Sequence, residues 1–266
     1  MKFAWLTDIH LEFLNELKII DFFEKIAAQN FSGLFLTGDI SNSYNLIFHL
    51  RLISKLINIP IYFILGNHDY YGDKISITKK KVAKLVKHSE NLFWLPQHGI
   101  IKLSKKTCLI GHGGWADGRL GNYSESTVIL NDYIRIKDFS TQKVEGRLFL
   151  LNQLGDEAAA YLKCILLKAT DNYRNIILLT HVPPFKEACW HNGNISNDNF
   201  LPHFTCKAVG DGLKIIMNKN PENQLTVLCG HTHSAGHAQI LSNLQVKTGG
   251  ANYGVPEIQE VIQINS

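Results

Sequence analysis

Apolar residues fall along this chain in two periods. Six short runs rich in Ile, Leu, Val and Phe, at residues 3–6, 34–37, 61–65, 107–110, 176–180 and 226–229, each end abruptly in a polar loop. Runs this short and without alternation read as strands covered on both faces. Residues 17–29 and 45–57 instead space their apolar side chains three and four apart, as a helix with one buried face does. Strand, helix, strand in that order predicts a parallel α/β sheet. Helical spacing returns at 147–169 and 207–217, ahead of the last two runs, and 238–241, 245–248 and 259–264 read as strands joined by turns. Residues 111–126 and 185–204 fit neither period; polar, aromatic and glycine-rich, they are the predicted binding loops. With no repeat, low-complexity segment or linker, residues 1–266 read as a single domain.

Composition narrows the setting. An apolar content of 45% with 19% charged residues is that of a soluble globular protein. No stretch approaches the length of a membrane span, so no membrane partner is expected. The first apolar run ends at Asp8, too early for a signal-peptide core. Cys108, Cys164, Cys189, Cys206 and Cys229 are odd in number, widely spaced and without a CxxC pair, which argues against a disulfide framework or a thiolate zinc site and predicts a cytoplasmic protein. The net charge of +4 is mild. Its densest cluster, Lys79, Lys80, Lys81, Lys84 and Lys87, has Ile75, Val82 and Val86 at helical spacing, and so reads as a solvated helix face more than a nucleic-acid patch.

The candidate chemistry lies where polar residues meet strand ends. Asp8 and His10 follow the first run, Asp39 the second, and Asn67, His68 and Asp69 the third; His181 follows the fifth, and His231 and His233 the sixth. In open α/β sheets the carboxyl ends of the strands form the crevice where ligands bind, so these residues converge. Two aspartates, four histidines and an asparagine are more donors than one metal ion needs and enough for two that share a carboxylate. Imidazole and carboxylate without thiolate suit Mn, Fe, Co, Ni or Zn. Two such ions can clamp the attacking and leaving oxygens of an in-line displacement, which is the chemistry of phosphoester hydrolysis.

The blocks Asp8-Ile9-His10, Gly38-Asp39-Ile40-Ser41-Asn42, Gly66-Asn67-His68-Asp69, His181 and Gly230-His231-Thr232-His233 occur in that order. In this the sequence resembles the calcineurin-like metallophosphoesterase superfamily, over nearly the whole chain. The resemblance implies two packed central sheets flanked by helices. It implies that Asp8, His10 and His233 hold one metal, that Asn67, His181 and His231 hold the other, and that Asp39 bridges them. It further implies that His68 faces the scissile phosphate as proton donor or charge stabiliser, with Asp69 orienting its imidazole. Asn42 departs from the aspartate frequent at that position of the second block. The block sequences differ from the protein Ser/Thr phosphatase branch, which usually carries GDxxDRG and GNHE. The expected substrate is a small phosphomonoester or phosphodiester, making the protein a phosphatase or phosphodiesterase; the alternatives are a nuclease and a non-catalytic protein that keeps its metals. His112, Trp115, Trp190, His191 and His203, in the irregular loops, are the candidates for touching substrate, and His49, within a helix, reads as structural.

Overall fold

The computed structural model describes residues 1–265. The apolar runs form the strands they predict. β1 (Lys2–Leu6), β2 (Gly33–Thr37) and β3 (Ile61–Ile64) alternate with α1 (Glu16–Ala27) and α2 (Leu46–Leu56). After β3 come α3 (Ile75–Val86), a three-residue strand β4 (Leu92–Trp94) and a two-residue strand β5 (Ile101–Lys102). β6 (Thr107–Gly111), α4 (Val144–Thr170), β7 (Asn175–Leu179), a small hairpin of β8 (Trp190–His191) and β9 (Asn194–Ile195), and α5 (Lys207–Lys219) follow. β10 (Gln224–Cys229), β11 (Gly236–Leu241), β12 (Leu244–Thr248) and β13 (Glu260–Gln263) complete the chain.

Two sheets result. The first has the order β13-β1-β2-β3-β4, the second β11-β12-β10-β7-β6-β5. Pairing is parallel within β1-β2-β3-β4 and within β6-β7-β10-β12; β13, β5 and β11 add antiparallel edges. The sheets pack face to face through Phe3, Trp5, Phe35 and Ile64 of the first and Leu109, Ile177, Leu179 and Leu228 of the second. Successive residues of a strand point to opposite faces, which is why β2, buried at every position, needs a second apolar layer on its other side. α1, α2 and α3 supply that layer with Ile19, Phe23, Leu50, Ile53 and Val82. α4 and α5 cover the second sheet with Leu162, Leu166, Val209 and Leu213. The lysine-rich α3 buries Ile75, Val82 and Val86 and leaves Lys80, Lys81 and Lys84 in solvent, as its spacing predicts.

Two features depart from the sequence reading. β4 and β5 have too few residues for a run to register. Residues 185–204 are not wholly irregular, since they hold the β8–β9 hairpin and a single-turn helix, Leu201–Phe204.

Candidate metal centre

The parallel strands of each sheet end on one side, and the loops that leave them meet there. Asp8, His10, Asp39, Asn67 and His68 come from the first sheet; His181, His231 and His233 come from the second. The loops turn sharply. Among the described residues six other than glycine have positive φ, and five of them are Asp8 (48°), His10 (41°), Asp39 (50°), His231 (73°) and His233 (57°). Side-chain-bearing residues pay for that region in steric strain, and such strain concentrates at functional sites. The approach of the two loop sets is equally tight, because a Cβ at Gly66 would collide with the Asp39 carboxylate and one at Gly230 with that of Asp8.

Asn67, His181 and His231 form one half of the cluster. His181 Nδ1 donates to the Thr37 carbonyl at 2.8 Å, so the neutral ring turns the lone pair of Nε2 inward. His231 Nε2 donates to the His203 carbonyl at 3.1 Å, so its Nδ1 lone pair faces inward too. The Asn67 amide donates through Nδ2 to Asp132 at 2.8 Å, which aims Oδ1 at both histidines, 2.8 Å from His181 Nε2 and 2.9 Å from His231 Nδ1. Three lone pairs thus converge with no hydrogen between them. A cation, or a proton on His181, relieves that repulsion. Burial alone would lower the His181 pKa, but Asp39 at 3.4 Å and Asp8 push it up to about 10, so the carboxylates around this point require positive charge.

Asp8, His10, Asp39 and His233 form the other half, each offering an atom within 4.8 Å of the rest. His10 and His233 bring their Nε2 atoms to 3.1 Å of each other, and Asp8 Oδ1 lies 3.4 Å from His233 Nε2. His10 Nδ1 is buried with no hydrogen-bond partner. Burial would raise Asp8, but His181 and His233 hold its carboxyl down to about 2. The Asp8 carboxylate also accepts from the Thr7 hydroxyl and the His231 N–H. Asp39 lies between the halves. Its Oδ1 accepts from His68 N–H at 2.8 Å, and its Oδ2 lies 3.4 Å from His181 Nε2 and 3.9 Å from His10 Nε2. Carboxylate and imidazole atoms with their lone pairs directed at shared points, and outer atoms fixed by carbonyls and amides, fit divalent metal ions.

His68 stacks on Tyr71 with ring centroids 4.2 Å apart and lines a cavity of about 210 Å³ over the cluster. Asp69 does not orient it. The Asp69 carboxylate is wholly buried and accepts instead from the N–H groups of Ile40, Ser41 and Gly66 at 3.0, 2.9 and 2.8 Å, tying the loop after β2 to the loop after β3. Adjacency in sequence misleads here because the turn at His68–Tyr70 sends neighbouring side chains apart. The carboxylate beside His68 is Glu12, whose Oε1 lies 3.7 Å from His68 Nδ1 and 3.6 Å from His10 Nδ1. Burial opposes the charge on Glu12, and these two imidazoles hold its pKa down to about 2. Nothing in the spacing of residues 11–13 marks Glu12, but its place two residues after His10, on the same turn, is the signal available.

Of the five substrate candidates, one faces this cavity. His191 lines it, together with Phe204, Asn131 and Tyr253. His203 is buried, its ring bonded to Ser126 and Tyr133, and it reaches the cluster through its backbone carbonyl on His231. Trp115 is buried between Tyr70 and Phe139 at 5.7 and 5.6 Å, a core anchor and not a stacking surface. His112 lies on the other side of Trp115, in a separate small pocket beside Lys79, where burial and that lysine push its pKa down to about 4. Trp190 packs its indole against Gly236.

A family model described as calcineurin-like phosphoesterase matches residues 1–235. Among solved structures, a phosphopantetheinyl hydrolase from Mycobacterium tuberculosis aligns with a TM-score of 0.66 over 94% of this chain and 89% of that one, at 11% identity. A dimetal phosphatase from Danio rerio aligns with a TM-score of 0.57 over 94% and 87%, also at 11% identity. At such identities the likeness is one of fold. No curated protein matches the sequence.

Proposed function

This chain belongs to the calcineurin-like phosphoesterase family and is a metal-dependent phosphoric ester hydrolase; from that premise we propose that it carries two metal ions and cleaves small phosphomonoesters or phosphodiesters. One observation carries the reading: Asp39 Oδ2 lies between two convergent sets of donors, Asp8, His10 and His233 on one side and Asn67, His181 and His231 on the other. Those seven residues are the ligands we assign, with Asp39 shared. Manganese, iron, zinc, cobalt or nickel suits the donor set. When bound, such a pair supplies an activated water and neutralises charge developing on the phosphoryl oxygens.

The chain's own residues do the rest. Thr37 and His203 carbonyls fix the tautomers of His181 and His231, and Asp132 fixes the Asn67 amide. His68, held between Tyr71 and Glu12, turns its imidazole to the cavity and donates a proton to the leaving oxygen. His191, Asn131 and Phe204 shape the mouth.

We read residues 1–266 as one domain, since the sheets share an apolar core and jointly build the site. A cytoplasmic setting accords with five free cysteines, and no described helix is long and apolar enough to cross a membrane. A groove between α2 and α3 lined by Arg51, Lys55, Lys84 and His88 favours, as a second reading, action on nucleic acid.

The deciding experiment is a hydrolysis panel with manganese-loaded protein on a monoester, a bis-ester and single-stranded DNA, with metal content measured in parallel. Two ions per chain and turnover of the small esters are expected. One ion per chain at saturation would remove the bridged pair, and a strongly salt-dependent preference for DNA would favour the nuclease.

A further inference from the structure

Two aromatic rings stand in solvent at the rim of the cavity. Phe13, on the turn after His10, is 56% exposed, and Tyr253, in the loop between β12 and β13, is 52% exposed. Their centroids are 4.8 Å apart. Tyr253 also lies 4.6 Å from His10, 5.0 Å from His233 and 6.2 Å from His68. The loop that carries it is pinned, because Ala251 N–H donates to the His233 carbonyl and Gly250 N–H to the Gln259 side chain. The backbone leading to Tyr253 is thereby tied to the His233 loop. Tyr253 lies beyond the 1–235 match, so the motifs shared by the family do not account for it.

Shielding His10 is the plainest role for Tyr253. That role needs one ring face only, and it leaves about half of each ring in water. A contiguous exposed aromatic pair beside a reactive cavity is what a ligand site leaves open. Among the described residues no lysine or arginine lines that cavity, so a second anionic group lying beyond reach of the metal ligands would find no lysine or arginine to pair with.

We infer that Tyr253 and Phe13 form a stacking shelf for a planar, uncharged ring in the leaving group of a substrate with a single phosphate. The inference rests on the phosphoester hydrolase reading. The shelf adjoins His68, on the side where the leaving oxygen takes its proton. The shelf makes no bond to the reacting atoms; it positions the group that departs. A nucleoside and a simple aryl group share this chemistry, and the test separates them.

Metal-loaded wild type, Tyr253→Ala, Tyr253→Phe and Phe13→Ala are compared on adenosine 5′-monophosphate, phenyl phosphate and glycerol 3-phosphate, with adenosine and phenol binding measured by calorimetry. In Tyr253→Ala the kcat/KM ratio of the preferred ring ester to glycerol 3-phosphate should fall roughly 5- to 100-fold, the worth of one base–aromatic stack. The matching ring compound should bind correspondingly more weakly. Tyr253→Phe should keep both, and Phe13→Ala should lose part. Preference for the adenosine or the phenyl ester identifies the source of the ring. Equal losses on all three esters, or an unchanged ratio, overturn the shelf while the hydrolase reading stands. A loaded wild type that cleaves a bis-ester but none of the three overturns the shelf's role on single-phosphate monoesters, and one that cleaves no ester overturns the hydrolase reading with it.

Discussion

Asp39 Oδ2 faces imidazoles from both halves of the cluster, whereas each of the other donors serves one half. Asp39→Ala should accordingly lower the metal-to-protein ratio more than His10→Ala, by elemental analysis of the purified proteins; equal ratios would contradict a shared carboxylate. The His68 imidazole makes no hydrogen bond to a donor side chain, with Asp39 Oδ2 4.0 Å from its Nε2 and the His10 ring packed edge-on at a centroid distance of 4.5 Å. His68→Asn is expected to keep its metals and to lose roughly 10²- to 10⁴-fold in kcat on an ester with a basic alkoxide leaving group. The loss should be smaller on an activated aryl ester, which needs little protonation. Glu12→Gln should give a milder form of that leaving-group dependence, since it loosens the imidazole without removing it. The convergence of the seven residues assigned as donors is legible in the sequence because each is fixed by its place at a strand end, a local fact. Glu12 is not, because what brings it to His68 is the turn at His10, and the place of Asp69 is hidden because two of its hydrogen-bond partners, Ile40 and Ser41, lie 29 and 28 residues upstream.

At the scale of elements, the apolar periods located every long strand and helix, and failed only where an element is too short to have a period, as in β4, β5 and the β8–β9 hairpin. The irregular segments were harder, because their aromatic residues serve both packing and binding and composition does not distinguish the two. Trp115 belongs to packing. Trp115→Ala should cost about 3–5 kcal/mol of stability in a denaturant titration, with little change in the ratio of rates between substrates. His112 belongs with it. Its folded pKa of about 4 lies below the ordinary value of 6.5, so the unfolded chain binds the extra proton first. Its contribution to stability is therefore present above about pH 6.5 and is lost as pH falls towards 4. His112→Gln should flatten the stability profile in that window without altering substrate preference.

For the whole molecule, the division of donors between two sheets makes metal a cross-link. Chelation should abolish activity and lower the melting temperature, and readdition of manganese should restore both. Ligand held at a hundredfold over its dissociation constant stabilises the folded state by about 2.7 kcal/mol, so the shift should be large enough to read by calorimetry. An unchanged melting temperature on complete metal removal would contradict the cross-link. The pairing of β13 with β1 bears on a different matter, the order of events during synthesis. Strand β1 is made well before β13, yet its outer edge is covered only by Glu260–Gln263, and the amino group of Met1 donates to the Ile264 carbonyl at 2.8 Å. Asp8 and His10 likewise wait for His233, and Asn67 and His181 for His231. On the ribosome the nascent chain carries an open β edge and lacks His231 and His233 until residues 231–263 have emerged, a state prone to wrong pairing. The metal site is thus completed late, and a ribosome-bound chain stalled before residue 231 should hold manganese more weakly than a chain that includes His231 and His233.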